Sequence, residues 1–192
     1  MQTISALFDT HEDAIAALKE LRSAGVPESD ISLMASGTNN REFVSGEHSD
    51  MTGAETGASL GAILAGGAGL LAGLGMMAIP GIGPVVAAGW LASTAAGAAA
   101  GGVAGGLLGT LVGAGVDRSD AEVYAEGVKR GGTLVSARVD DVMAVRGQDL
   151  LDRAQRVDLT DRKSQYQQQG WNGFDDTLPP IGDPALRSGA LR

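Results

Sequence analysis

Apolar and polar residues alternate over Gln2–Phe8, with Ile4, Ala6 and Phe8 on one side, and this period predicts a strand. Thr10 followed three residues later by Asp13 has the form of a capping box. The helix it opens carries Ala14, Ile15, Leu18 and Leu21 on one stripe, and Gly25 and Pro27 stop it. Ile31–Ala35 reads as a second short strand, so residues 1–36 form a βαβ unit. Residues 37–52 are polar and turn-rich and read as a linker.

The pattern then changes. From Thr56 to Val116 no Asp, Glu, Lys, Arg or His occurs, a run of 61 residues. Two ladders of small residues at four-residue spacing run through this region. One is Gly53, Gly57, Gly61, Ala65, Gly69, Gly73; the other is Gly97, Gly101, Gly105, Gly109, Gly113. Four-residue steps return to nearly the same face of an α-helix, so each ladder predicts a groove that a second backbone can approach closely. Pro80, Gly81, Ile82, Gly83 and Pro84 interrupt the run, because no helix continues unbroken through them. The expectation is a helical hairpin over 53–116, with helices of about 53–79 and 85–116 and a turn at 80–84. At 1.5 Å per residue these are roughly 40 and 48 Å long, enough to cross a hydrocarbon core of roughly 30 Å.

Charge returns at Asp117. Ser119 to Glu122 has the form of another capping box and opens a helix through Tyr124 and Val128 that Gly131 and Gly132 end. Thr133–Val139 alternates as a strand with Val135, Ala137 and Val139 on one side. A helix over Met143–Ala154 and a weak strand at Val157–Leu159 complete a second half over 117–160. Residues 161–192 have no apolar period and read as a disordered tail. Without the uncharged insertion the order is strand–helix–strand twice. That predicts an α+β fold, a ferredoxin-like split βαβ domain with the glycine-rich hairpin between its halves.

Composition sharpens this picture. Of the 30 glycines, 18 lie in the uncharged run, so the excess is local. Each interior glycine costs a helix about 1 kcal/mol relative to alanine, which close packing must offset. The net charge is −9, of which residues 1–55 carry −7 (ten acids, three bases), and no basic stripe exists. Nucleic-acid partners are therefore not expected. The absence of cysteine excludes disulfides and thiolate metal sites. The N-terminal residues lack the basic and apolar regions of a secretion signal.

No catalytic constellation can be assembled. His11 and His48 are the only histidines, one in the first turn of a capped helix and one in the polar linker, and both read as solvated surface groups. Gly73–Ala78 matches G-x-G-x-x-A and Gly113–Arg118 comes close. Neither follows a strand with an acid some 20 residues on, so no nucleotide and no other cofactor is expected. Trp171 and Phe174 are aromatics in the tail, a make-up suited to docking on a protein partner.

The βαβ start, the turn Ile79 to Pro84 in a Gly/Ala-rich hairpin and the run Tyr124 to Val135 together resemble bacterial general stress or low-temperature-induced proteins. The resemblance covers roughly residues 2–160, and Gly170–Phe174 shares it. It implies a link to stress and brings no activity or site residue.

The sequence thus points to a non-enzymatic protein that self-associates, inserts in membrane lipid, or both. Arg41, Arg118, Lys129 and Arg130 flank the hairpin and the turn carries no base. A spanning form would therefore sit in the inner membrane with both termini cytoplasmic. The alternatives are a cytoplasmic homo-oligomeric scaffold with the hairpins in its core and a ferredoxin-like regulatory domain that binds a small ligand.

Overall fold

The structure, a computed structural model of the chain, describes residues 1–36, 75–79, 83–91 and 106–175. The strands are β1 (Gln2–Phe8), β2 (Ile31–Ser36), β3 (Gly75–Ile79), β4 (Gly83–Ala88) and β5 (Thr133–Val139). The helices are α1 (His11–Ser23), α2 (Gly106–Gly113), α3 (Arg118–Lys129), α4 (Asp141–Arg153) and α5 (Leu159–Gln168). The strands form one antiparallel sheet in the order β1-β5-β2-β4-β3. The strand that follows α3 therefore lies between the two strands of the N-terminal βαβ unit.

Alternation divides the sheet as its period-2 geometry requires. Ile4, Ala6 and Phe8 of β1, Ile31 and Leu33 of β2, and Val135, Ala137 and Val139 of β5 share one face with Ala14, Ala17 and Leu21 of α1 and Ala144 and Leu151 of α4. The opposite face carries Leu7, Met34, Val85, Ala87 and Leu134, covered by Leu107 and Leu111 of α2 and by Ala121, Tyr124, Ala125 and Val128 of α3. Each fully buried leucine here contributes about 1.5–3 kcal/mol.

Local chemistry sets the helix starts. The Thr10 hydroxyl accepts the Asp13 amide hydrogen, as the capping box predicts. At α3 the cap is Asp117, which accepts from the Ser119 amide, so the helix starts ahead of the expected Ser119 cap. Asp140 caps α4 and Asp158 caps α5.

The expected helical hairpin is corrected in its centre. Gly75–Ile79 and Gly83–Ala88 are strands, not the inner ends of two long helices. The β-branched pair Val85-Val86 favours extended backbone, and β4 reaches β2, pairing Ser36 with Val85 through Leu33 with Ala88. Pro84 precedes the first residue paired with β2, so its missing N–H removes nothing from that ladder. β3 and β4 are adjacent and antiparallel, with Ile79 opposite Gly83, so Gly83 and Pro84 of the expected turn belong to a strand.

Two further expectations change. Val157–Leu159 is not a strand: Leu159 opens α5, and one backbone bond joins Val157 N–H to the Leu7 carbonyl at 2.8 Å. Residues 161–175 are part of the fold and not a disordered tail, since α5 packs on α3 and Tyr166 is buried. Among the described residues no helix is long and apolar enough to cross a membrane.

Candidate functional site

The uncharged segment meets the sheet at a row of buried hydroxyls. Ser5, Ser136 and Ser32 are register partners on β1, β5 and β2, so they form one line across three strands. Ser5 Oγ and Ser136 Oγ are 2.8 Å apart, and Ser32 Oγ accepts the Leu91 amide hydrogen at 2.8 Å. The Tyr124 phenol donates to the Ser5 carbonyl at 2.7 Å. Burial holds this phenol above its ordinary pKa, with Asp120 adding to the effect and Arg156 opposing it.

Gly89 lies directly on this row. Its φ of +84° suits glycine, and a Cβ there would stand 2.1 Å from the Ile31 carbonyl oxygen and 2.6 Å from Ser32 Oγ. Next to it the Arg138 guanidinium stacks over the Trp90 ring at 5.0 Å and pairs with Asp30 at 2.7 Å. Trp90 also packs against the core cluster. These groups fasten the chain just before residue 92. Among the described residues the hydroxyls bond to one another and to a backbone amide, with neither a histidine nor a carboxylate, an arrangement suited to anchoring.

The last two positions of the second ladder lie on α2. Leu107 and Leu111 point into the core, while Gly109 and Gly113 lie on the exposed face, and nothing stands within 4 Å of a Cβ built at Gly113. Val112 beside them is 37% exposed. Gly53, Gly57, Gly61, Ala65, Gly69, Gly73, Gly97, Gly101 and Gly105 lie outside the described residues, as do Pro80 and Gly81 of the turn; Gly83 and Pro84 open β4.

The tail aromatics dock, but on their own chain. Trp171 meets the Tyr166 ring edge-on, with centroids 5.8 Å apart, and its amide donates to the Tyr166 carbonyl at 3.0 Å. Phe174 packs against the core, and Lys129 lies over its ring at 5.7 Å while donating to the Asp175 carbonyl at 3.3 Å. Arg130 stacks on Tyr166 at 4.2 Å and pairs with the buried Glu126 at 2.6 Å. Pairing Trp171, Phe174 and Tyr166 with the cations of the Lys129-Arg130 pair would have revealed this in the sequence; hydrophobic periodicity does not.

His11 is half-buried rather than fully solvated, and burial lowers its pKa to about 4. His48 lies outside the described residues. The second fingerprint-like run passes from α2 through Gly115, at φ +92°, into α3, so it is a helix–turn–helix corner and not a strand-to-helix phosphate loop. Among the described residues no group of three or more His, Asp or Glu could hold a metal ion. Compared with known protein families, curated proteins and solved structures, the chain shows no match.

Proposed function

We propose that this is a non-enzymatic, stress-linked protein that assembles with copies of itself through its uncharged, glycine-laddered segments. The α+β domain acts as their rigid holder. We read that domain as a ferredoxin-like split βαβ unit whose fourth strand is reduced to the Val157–Leu7 bond and whose insertion contributes two strands of its own.

The observation that carries this reading is the orientation of α2. Its leucines fill the core while Gly109 and Gly113 face outward. An interior glycine such as Gly109 costs the helix about 1 kcal/mol relative to alanine, and it lies on the exposed face of α2 among the described residues. A second backbone laid along the groove would offset that cost.

Chain length argues against a bilayer crossing by the segment between Leu91 and α2. Leu91 and Leu107 belong to one core cluster, and only residues 92–105 lie between Leu91 and α2. Even fully extended at about 3.5 Å per residue, a segment of this length that leaves and returns reaches roughly 25 Å, short of a hydrocarbon core of roughly 30 Å. The stress setting rests on the resemblance of Ile79–Pro84 and Tyr124–Val135 to general stress proteins. The test is Gly113→Leu: it should lower the oligomer population seen by native mass measurement with the melting temperature unchanged. An unchanged population contradicts the reading.

A further inference from the structure

The two edges of the sheet differ. At β1 the Leu7 carbonyl is taken by Val157 N–H at 2.8 Å, and an Arg162–Asp9 ion pair at 2.6 Å stands beside the strand end. At the other edge β3 pairs with β4 on one side, and among the described residues nothing pairs with its other side. Natural edge strands are usually guarded by a charge, a proline or a bulge. Gly75–Ile79 contains no charge and no proline, and the nearest charged residues along the chain are Glu55 and Asp117.

We propose that β3 pairs antiparallel with β3 of a second copy, so that two five-stranded sheets join about a twofold axis centred on Met77. This rests on the self-assembly reading above and names a contact separate from the α2 ladder. The occupant is argued from charge and symmetry. Each chain carries −9, so two copies repel one another except where they meet through uncharged surface, and β3 lies inside the 61-residue uncharged run. An antiparallel pair of identical strands is self-complementary, as an isologous twofold contact requires. A strand of five residues places its central residue on the axis, giving Gly75 opposite Ile79, Met76 opposite Ala78 and Met77 opposite Met77. The backbone N–H and C=O groups on the outer side of β3 then gain the partners that an edge leaves without them.

The absence of native cysteine makes the test direct. Opposed residues of an antiparallel pair lie about 4.5–5.5 Å apart between Cα atoms, within disulfide reach. Met77→Cys should therefore give a disulfide-linked dimer as the main species under mild oxidation. In Ile79→Cys the two thiols are offset by roughly 13 Å along the strands, and the chain should stay uncrosslinked. Should the Met77→Cys chain not fold, a mixture of the Met76→Cys and Ala78→Cys chains, opposed in the same register, replaces it. Crosslinking in a Gly109→Leu background separates the edge contact from the ladder contact. An assembled wild type that gives no dimer at residue 77, or equal crosslinking at 77 and 79, overturns the edge contact alone. A wild type that is monomeric throughout overturns it together with the self-assembly reading.

Discussion

The Tyr124 phenol reaches across from α3 to the Ser5 carbonyl of β1, 2.7 Å away, joining residues from the two halves of the chain beneath the serine row. Tyr124→Phe removes this bond and should cost about 1 kcal/mol, roughly 3 °C in melting temperature for a chain of this size. It should also change the alkaline limb. Burial raises the folded pKa, whereas the unfolded phenol ionises at about 10. The contribution is complete below pH 10 and is lost as the pH rises further. Denaturant midpoints between pH 8 and 11 should fall less steeply in the phenylalanine variant; identical slopes would contradict the assignment.

Gly89 and Gly147 separate two kinds of close approach. At Gly89 a new methyl meets backbone and demands a positive φ, so Gly89→Ala should destabilise by about 3 kcal/mol or more. At Gly147 it meets the far end of the Ile4 side chain at 2.5 Å, which can turn aside, and better helix propensity offsets part of the strain. Chemical denaturation of both alanine variants should show the larger loss at Gly89.

His11 bears on the acid limb. The unfolded imidazole takes a proton near pH 6.5, while the folded one waits until about 4. Its contribution is present above pH 6.5 and is lost as the pH falls toward 4. His11→Gln should reduce the difference in denaturant midpoint between pH 7 and pH 5. A difference equal to that of the wild type would show that His11 does not carry it.

The tail belongs to the fold. Tyr166 is 4% exposed, and Arg130, Arg162 and Trp171 surround its ring. Tyr166→Ala should cost about 3 kcal/mol, or roughly 10 °C, and removing residues 170–192 should lower the melting temperature measurably. A truncated chain that melts like the full one would show that Phe174 and Trp171 add nothing to the core.

Much of the α+β domain was legible because period-2 alternation survives in β1 and β5 and Thr10 marks its helix with a side-chain cap. β3 and β4 were hidden because ladders of helical spacing flank them on both sides, one ending at Gly73 and the other beginning at Gly97. Between those residues Val85 and Val86 already favoured a strand. Helix α5 was hidden for another reason. Its mean hydropathy is low and Tyr166 is its one buried residue, so its stability comes from the Asp158 cap and from ring–cation contacts that no apolar period encodes. The outward face of α2 follows directly from the offset between Leu107, Leu111 and Gly109, Gly113, all readable in the sequence.

The most direct measurement is sedimentation velocity of the wild type and of a Gly109→Leu, Gly113→Leu double variant, in detergent-free buffer over a range of concentrations. Self-assembly through the ladder predicts a wild type that sediments as a defined oligomer and a double variant shifted toward monomer, with the two far-ultraviolet circular dichroism spectra superimposing. A wild type that is monomeric at every concentration, or one recovered only with membranes and detergent, would contradict it.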